Sequence, residues 1–250
     1  MCTMTWFVRD QGYELFFNRD ERNSRHRALL PAVTLLAGVQ VVAPTDTDAG
    51  GTWIAANQFG VTVCLLNHYQ FEQIESYKDW TSRGQIVRHF SSAAQVGDVA
   101  THFSTLPLSD YRAFRLFVIE PSGANCLCVW DGHAPRIEHN VSSPKSSSSV
   151  DASHVKGLRR ALFRNLGLAE LDSTRAYLAY HASHLPSRSK ESVCMHREDA
   201  STVSLTHVAV TAEQVQVRYA DGAPCKALLG EPVGIARQSL HYDPSIRAFS

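Results

Sequence analysis

Runs of β-branched and aromatic residues, separated by turn-forming residues, make up most of the first 66 positions. Residues 3–9 and 12–18 are two such runs, and Asp10 and Gln11 between them predict a tight turn. This hairpin brings Cys2 toward the residues that follow position 18, at one end of a sheet. Three further strands are predicted at residues 39–43, 52–56 and 60–66.

The apolar spacing changes from strand to helix after residue 82. Apolar side chains recur at helical spacing between Ile86 and Leu106, and a break near Gly97 divides them into two predicted helices. Residues 155–168 and 173–184 predict a second helix pair, in which Asp172 or Ser173 is the N-cap of the second helix.

Two more strand pairs complete the pattern. They are predicted at residues 115–120 with 125–130, and at residues 203–210 with 214–219, ahead of an irregular tail. The Ser-rich stretch at 142–149 is interpreted as a loop within the domain. Paired strands and paired helices favour an α+β fold, a four-layer αββα sandwich of two antiparallel sheets flanked by helices, although periodicity alone also fits other α+β folds.

Composition narrows the class of protein. The chain has 250 residues, 44% of them hydrophobic, which suits one domain over 1–250. Lys plus Arg and Asp plus Glu number 24 each, so we expect no nucleic-acid partner. We also expect no membrane span, because no apolar stretch reaches the roughly 20 residues required and residues 1–6 lack the basic start of a secretory signal. The prediction is a cytoplasmic protein with reduced cysteines and a small-molecule partner, with its oligomeric state open.

Cys2 has the most distinctive chemistry in the chain. If Met1 is removed, Cys2 carries a nucleophilic sulfur and a free α-amine. The reference pKa of the amine is roughly 7.7 to 8.0 and that of a thiol about 8.5, so the amine accepts the thiol proton near neutral pH without a histidine. One residue then supplies nucleophile and base. On this pattern alone, a cysteine that merely follows Met1 is the open alternative.

Four segments together resemble the NRDE family, which includes the transport and Golgi organisation protein 2 group. They are Met1-Cys2, Phe17 with the Asn-Arg-Asp-Glu tetrad at 18–21, Gly-Gly-Thr-Trp at 50–53 and Arg-Gly-Gln-Ile-Val at 83–87. The resemblance implies an N-terminal nucleophile (Ntn) hydrolase fold, which is an αββα sandwich. It also implies a distant relation to choloylglycine hydrolases and penicillin V acylases.

The resemblance assigns roles to several residues. Cys2 is expected to attack a carbonyl, Arg19 to favour its thiolate and Asp20 to fix its ammonium. Asn67, at the end of a predicted strand, is expected to supply an amide to the oxyanion hole. The predicted supporting or substrate-binding residues are Asn18, Glu21 and Ser143.

Two features of the related sites are missing. Where the acylases carry a second asparagine before a proline, Ser143 is the nearest counterpart, and a serine lacks the reach of an amide. No arginine lies in residues 199–204, the segment before the late strand, and the nearby Arg197 is interpreted as an exposed loop residue. A structural ion pair between Arg19 and Asp20 or Glu21 is therefore the competing interpretation of the tetrad.

No cofactor or metal is predicted. Cys126 and Cys128 share one face of a strand, and Cys194 and His196 lie close in sequence, but no Cys-x-x-Cys pair supports a metal site. Histidines are frequent in this chain, so His181 and His184 are interpreted as structural.

Two classes of function stay open. The first is a hydrolase or acyl-transfer enzyme that acts through Cys2 on a small N-acyl amide or thioester. The second, which the resemblance also implies, is a non-catalytic cytosolic carrier or chaperone of a hydrophobic ligand such as haem, an acyl-CoA or a lipid.

Overall fold

Two antiparallel β-sheets form the framework of the protein. The computed structural model describes residues 2–69 and 79–239, which contain thirteen strands and four α-helices. The first strands are β1 (Cys2–Arg9), β2 (Gly12–Arg22), β3 (Leu29–Leu36), β4 (Val39–Thr45), β5 (Ile54–Asn57), β6 (Thr62–Asn67) and β7 (Phe114–Ile119). The others are β8 (Asn125–Trp130), β9 (Pro135–His139), β10 (Lys145–Ser147), β11 (Ala200–Val210), β12 (Gln214–Ala220) and β13 (Val233–Ala236). The helices are α1 (Gly84–Phe90), α2 (Val96–Phe103), α3 (Ala152–Asn165) and α4 (Thr174–His181).

Hydrophobic burial explains why the sheets stack as they do. The six-stranded sheet has the order β10-β1-β2-β11-β12-β13, and the seven-stranded sheet runs from β3 to β9 in chain order. Apolar side chains from both sheets, among them Trp6, Phe17 and Phe117, fill the space between them. A second apolar cluster lies between the seven-stranded sheet and α1 and α2, and a third between the six-stranded sheet and α3 and α4. The layers are helix, sheet, sheet, helix, which confirms the predicted αββα sandwich.

The β1–β2 hairpin is fixed by its turn and by a close backbone approach. Gln11 has a positive φ of 57° in the two-residue turn. A Cβ atom on the next residue, Gly12, would lie 2.0 Å from the carbonyl oxygen of Val210, so only glycine fits there. The resulting register pairs Cys2 with Arg19.

Two glycine motifs that the sequence singled out meet in space. A Cβ atom on Gly51 would lie 2.9 Å from the Cα of Gly84, and one on Gly84 would lie 3.2 Å from the Cα of Gly51. The backbone before β5 therefore packs directly against the start of α1. This contact holds Thr52 and Trp53 beside Cys2, where β1 begins.

Several predicted boundaries need correction. Residues 142–149 are not all loop, because Lys145–Ser147 form β10 and pair with β1. The first helix pair is divided at residues 91–95, before Gly97, and α3 begins and ends three residues earlier than predicted. Ser173 is the N-cap of α4, as predicted, and its hydroxyl accepts a hydrogen bond from the Ala176 amide at 3.4 Å. Within the described ranges, no helix has both the length and the apolar character needed to cross a membrane.

Candidate active site

Cys2 begins β1 and lies between two neighbouring strands. It is paired with Arg19 of β2 on one side and with Ser147 of β10 on the other. Its backbone nitrogen donates a hydrogen bond to the Ser147 hydroxyl at 2.9 Å. A cavity of about 340 Å³ opens at this end of the sheet, and Cys2 is part of its lining. The sheet thus places Cys2, the candidate nucleophile, at one edge of a cavity.

Burial and neighbouring acids make the Cys2 thiol a weaker acid. Burial raises its pKa above the usual value, while a hydrogen bond from the Asp20 backbone lowers it. The negative charges of Asp20 and Glu21 raise it further. The thiol is therefore predominantly protonated at neutral pH, and attack through sulfur requires a base close to it.

Arg19 is fixed over the cavity by stacking and by two acids. Its guanidinium carbon lies 4.0 Å from the centre of a Trp53 ring. Its Nη2 lies 3.3 Å from Oδ2 of Asp46 and 3.6 Å from Oε2 of Glu21. Glu21 thus contacts Arg19, as the sequence suggested, and its side chain is 27% exposed.

Asp20 is buried directly behind the cavity. Its Oδ1 accepts a hydrogen bond from the Thr202 hydroxyl at 2.6 Å, and its Oδ2 lies 3.6 Å from Nη1 of Arg159. Burial raises the pKa of the Asp20 carboxyl, although the charge of Arg159 opposes that change. Burial therefore makes the charged form of this carboxyl costly inside the protein, and Arg159 offsets part of that cost.

A β-bulge lies beside Arg19 and Asp20, on the neighbouring strand. The side chains of these two residues point to opposite faces of β2: that of Arg19 stacks on Trp53, whereas that of Asp20 reaches Thr202 and Arg159. The pairing of β11 with β2 shifts between Thr202 and Ser204, directly opposite these two residues. The extra residue is Val203 of β11, and bulges are common beside active sites.

Arg159 was not recognised in the sequence. It lies on α3 between Val155 and Phe163, on the stripe that the helix buries against the sheet. Its Nη1 donates to the Thr3 hydroxyl at 2.6 Å. Its other nitrogens donate to main-chain carbonyls at 3.3 and 3.4 Å. An arginine at a core position of a predicted amphipathic helix is the signal that could have identified it.

Asn67 ends β6 and lines the same cavity as Cys2. Its amide nitrogen donates a hydrogen bond to the Tyr69 hydroxyl at 2.8 Å. The tyrosine therefore holds the amide at the cavity wall. Its role toward an oxyanion stays a prediction.

Three residues considered in the sequence lie elsewhere. Asn18 is on the opposite face of β2, where its amide donates to the carbonyl oxygens of His181 and Val193 at 2.9 and 3.1 Å. Ser143 accepts a hydrogen bond from the Trp6 amide at 3.2 Å, and Ser147 lies beside Cys2 in its place. Arg197 pairs with Asp199 in its own loop, at 2.7 Å.

Three further arginines give the cavity lining a small excess of positive charge over its three acids. Arg25, Arg83 and Arg112 join Arg19 in its lining. Arg25 also donates to Asp46 at 2.5 Å. Indole rings of Trp53 and Trp80 and the Leu65 side chain supply the main apolar wall. Sequence spacing gave no sign that these cations converge, because they come from separate loops and helix ends.

Potential metal ligands cluster outside this cavity. In the described part of the chain, the one group of His, Cys and acidic side chains with suitable spacing is formed by His184, Cys194, His196 and Cys225. The sulfur atoms of Cys126 and Cys128 are 3.8 Å apart, and both residues are buried under α2. The sequence interpretation that left Cys194 and His196 without partners missed two residues that are distant in the chain.

A comparison with protein families identifies the family of the chain. A model of the family described as Transport and Golgi organisation 2 matches residues 1–167. A comparison with curated proteins finds no significant sequence match.

Solved structures of several acyl amide hydrolases are similar to the chain. A cysteine-to-alanine mutant of the conjugated bile acid hydrolase from Clostridium perfringens has a TM-score of 0.54 and 12% identity, over 94% of this chain and 92% of that one. Penicillin V acylase from Agrobacterium tumefaciens has a TM-score of 0.52 and 11% identity, over 95% and 100%. The Caenorhabditis elegans ortholog of N-acylethanolamine-hydrolyzing acid amidase has a TM-score of 0.58 and 11% identity, over 83% and 92%. At this identity, the likeness shows the Ntn-hydrolase fold.

Proposed function

The chain belongs to the Transport and Golgi organisation 2 family, and from this membership and the geometry around Cys2 we propose that the protein is an N-terminal cysteine nucleophile hydrolase of small acyl amides. The observation that carries the proposal is the position of Cys2. Cys2 lines a cavity of about 340 Å³, and its nitrogen donates a hydrogen bond to the Ser147 hydroxyl at 2.9 Å. Removal of Met1 turns that nitrogen into the base that the thiol needs.

The chemistry follows from the two groups on Cys2. The α-amine accepts the thiol proton while the sulfur attacks the amide carbonyl, forming a carbon–sulfur bond. The tetrahedral intermediate collapses by breaking the carbon–nitrogen bond, and the proton passes to the leaving amine. A water molecule, deprotonated by the same amine, then hydrolyses the thioester to release the acid and restore Cys2.

Neighbouring residues are proposed to assist at defined atoms. Asn67 donates its amide to the oxyanion, an interaction whose loss typically costs about 100- to 1,000-fold in rate. Asp20 stabilises the ammonium that forms on Cys2, and Arg19 favours the thiolate. Ser147 accepts a hydrogen bond from the amine and fixes its direction toward the sulfur.

The cavity supports a substrate with an anionic group. Four arginines line it, against three carboxylates at Asp20, Glu21 and Asp46. Two of those carboxylates already contact Arg19 or Arg25. Among the described residues, Arg83 and Arg112 have no carboxylate partner, and Arg83 uses Nη1 for the Ala113 carbonyl, so both are proposed to bind a ligand anion. The named substrates of the similar structures, a conjugated bile acid and penicillin V, suggest an N-acyl compound. So polar a cavity is less suited to a carrier of a purely hydrophobic ligand.

The test compares paired variants against a panel of N-acyl amino acids. Cys2→Ala should abolish hydrolysis. Ser147→Ala should lower kcat by about 10-fold or more because the amine loses its hydrogen bond, which is worth on the order of 1 to 2 kcal/mol. Ser143→Ala is the matched control, since its hydroxyl contacts Trp6 instead. Turnover that survives in Cys2→Ala, or a wild-type protein that binds ligands without turnover, would overturn the proposal.

We also propose that the protein works in the cytoplasm. All six cysteines carry free thiols, including the half-buried Cys2 and Cys225. Free thiols persist in reducing compartments. Localisation of a tagged full-length protein tests this assignment.

A further inference from the structure

Three separate segments of the chain bring four metal-binding side chains together. His184 follows α4, Cys194 and His196 lie in the connection to β11, and Cys225 follows β12. One ligand atom from each side chain lies within 4.8 Å of all the others. Cys194 is buried, and the other three are half-buried.

We propose that these four residues bind one Zn²⁺ ion in a tetrahedral site of two cysteines and two histidines. Zinc bonds of about 2.0 to 2.1 Å to nitrogen and about 2.3 Å to sulfur place tetrahedral ligands about 3.3 Å apart for two nitrogens and about 3.5 Å for nitrogen and sulfur. The Nε2 atoms of His184 and His196 are 3.1 Å apart. Nε2 of His196 lies 3.5 Å from the Cys194 sulfur and 3.6 Å from that of Cys225.

Hydrogen bonding alone does not account for this arrangement. Nε2 of His196 is close to three partners, but a neutral imidazole nitrogen donates or accepts only one proton. A cation shared by all four atoms satisfies them together. Both cysteines are free, so no disulfide occupies the position.

Binding releases protons in a defined balance. Two neutral thiols lose one proton each, and the two neutral imidazoles coordinate through Nε2. Nδ1 of His196 faces Nη2 of Arg188 at 3.4 Å, which favours a proton on Nε2. When zinc replaces that proton, the ring carries its hydrogen on Nδ1 and the exposed contact with Arg188 is lost.

Four protein ligands leave no open position, so the site is structural rather than catalytic. It ties the segment of residues 184–196 to the connection after β12. That segment supplies the carbonyl oxygens of Lys190 and Glu191 to Arg159, and that of Val193 to Asn18. Zinc would therefore stabilise the wall behind Asp20, and this inference holds whether or not Cys2 is catalytic.

The first test uses the wild-type full-length protein. Chelator-stripped, reduced protein titrated with Zn²⁺ against a chromophoric competitor should bind one equivalent with a Kd below about 0.1 µM, as structural zinc sites do. Substitution with Co²⁺ should give the visible absorption of a tetrahedral, thiolate-bound ion. Zinc should also raise the melting temperature.

Variants then locate the site. Cys225→Ser and His196→Gln should weaken zinc binding by more than the about 10- to 100-fold caused by losing an outer-shell partner. The matched controls are Cys2→Ala, which removes a thiol outside the cluster, and the exposed His89→Gln. Circular dichroism of each apo variant separates lost ligation from lost folding.

Three results would overturn the proposal. One is a wild-type Kd weaker than about 10 µM. Another is a Cys194–Cys225 disulfide in peptides mapped from protein purified without reductant. The third is zinc affinity that falls equally in Cys2→Ala or His89→Gln.

Discussion

Two buried acids on the same strand behave in opposite ways. Glu14 and Asp20 both belong to β2. Glu14 accepts hydrogen bonds from Arg9, Thr174 and His207 at 2.9 Å or less. Although burial alone would raise its pKa, these bonds lower the pKa of Glu14 to about 2. For Asp20, burial outweighs the opposing charge of Arg159, and its pKa is raised.

The difference separates a structural acid from a candidate functional one. The hydrogen bonds that Glu14 accepts outweigh the cost of removing its charge from water, so its charge stabilises the fold. Asp20 is held near Cys2 although the fold gains little from its charge. Perturbation of this kind, at the edge of a cavity, marks functional sites more often than structural ones.

The largest expected effect comes from removing the partner of Asp20. Arg159→Met should lower the free energy of unfolding by about 3 to 5 kcal/mol, because it leaves a buried charge uncompensated. Arg160→Met, at the exposed neighbouring position on α3, is the matched control and should change it little. Urea denaturation at pH 7 measures both.

A double variant sharpens this prediction. Asp20→Asn combined with Arg159→Met removes both charges, so the double variant should lose clearly less stability than the sum of the single variants. Additive losses would show that the two side chains do not interact.

The second largest effect should appear in turnover. Asp20→Asn should reduce kcat by at least about 100-fold, the typical contribution of a positioned acid or base group. Glu14→Gln should leave kcat unchanged, since Glu14 lies away from the cavity. Equal losses of activity in the two variants, with both folded, would remove the distinction between the acids.

A third difference should appear in the pH dependence of stability. The folded pKa of Glu14, about 2, is below the usual value of 4.5, so the stability that its charge contributes is complete above pH 4.5 and lost as the pH falls toward 2. With its partial exposure, we expect about 1 to 2 kcal/mol. Asp20 has the opposite sign, because its raised pKa removes stability as the pH increases from 3.8.

Chemical denaturation of wild type and Glu14→Gln at pH values from 2 to 7 measures how much the Glu14 charge contributes to the free energy of unfolding. The two stability curves should separate as the pH rises from about 2 to 4.5 and keep a constant difference above pH 4.5. Curves that stay parallel over the whole range would contradict the assignment.

The smallest effect is expected at the exposed donor of Glu14. Arg9 is 40% exposed, and its Nη2 lies 2.7 Å from Oε1 of Glu14. Arg9→Met should cost about 0.2 to 1 kcal/mol, with a smaller difference in high salt. A loss above about 2 kcal/mol would mean that Arg9, rather than His207 and Thr174, holds the Glu14 charge.

The sheet interiors could be predicted from sequence, whereas the sheet edges could not. The four strands that the sequence did not predict, β3, β9, β10 and β13, are the four edges of the two sheets. An edge strand pairs on one side only and covers less core, so its residues need not alternate between apolar and polar. β3 is apolar almost throughout yet mostly exposed, and β9 exposes Arg136 and Glu138. β10 reads Lys-Ser-Ser, and its strand conformation depends on pairing with β1.

The residues of the candidate active site also fall into a part that could be predicted from sequence and a part that could not. The hairpin places Cys2, Arg19 and Asp20 together through local register, which short-range sequence signals specify. Ser147 and Arg159 reach the same place from an edge strand and a helix: Ser147 is 145 residues from Cys2 in the chain, and Arg159 is 139 residues from Asp20. Such long-range contacts leave no spacing in the sequence, and Arg159 alone left a trace, as a charge on an apolar helix stripe.

The most direct test of Cys2 as the nucleophile is acyl trapping followed by mass spectrometry. The native protein is reacted with an activated N-acyl donor, quenched in acid and mapped by peptide. We predict an intact mass that lacks Met1 and a single acyl adduct on Cys2, absent in Cys2→Ala. Retention of Met1 in the folded protein, or an adduct on Cys64 or Cys128 instead, would contradict the account.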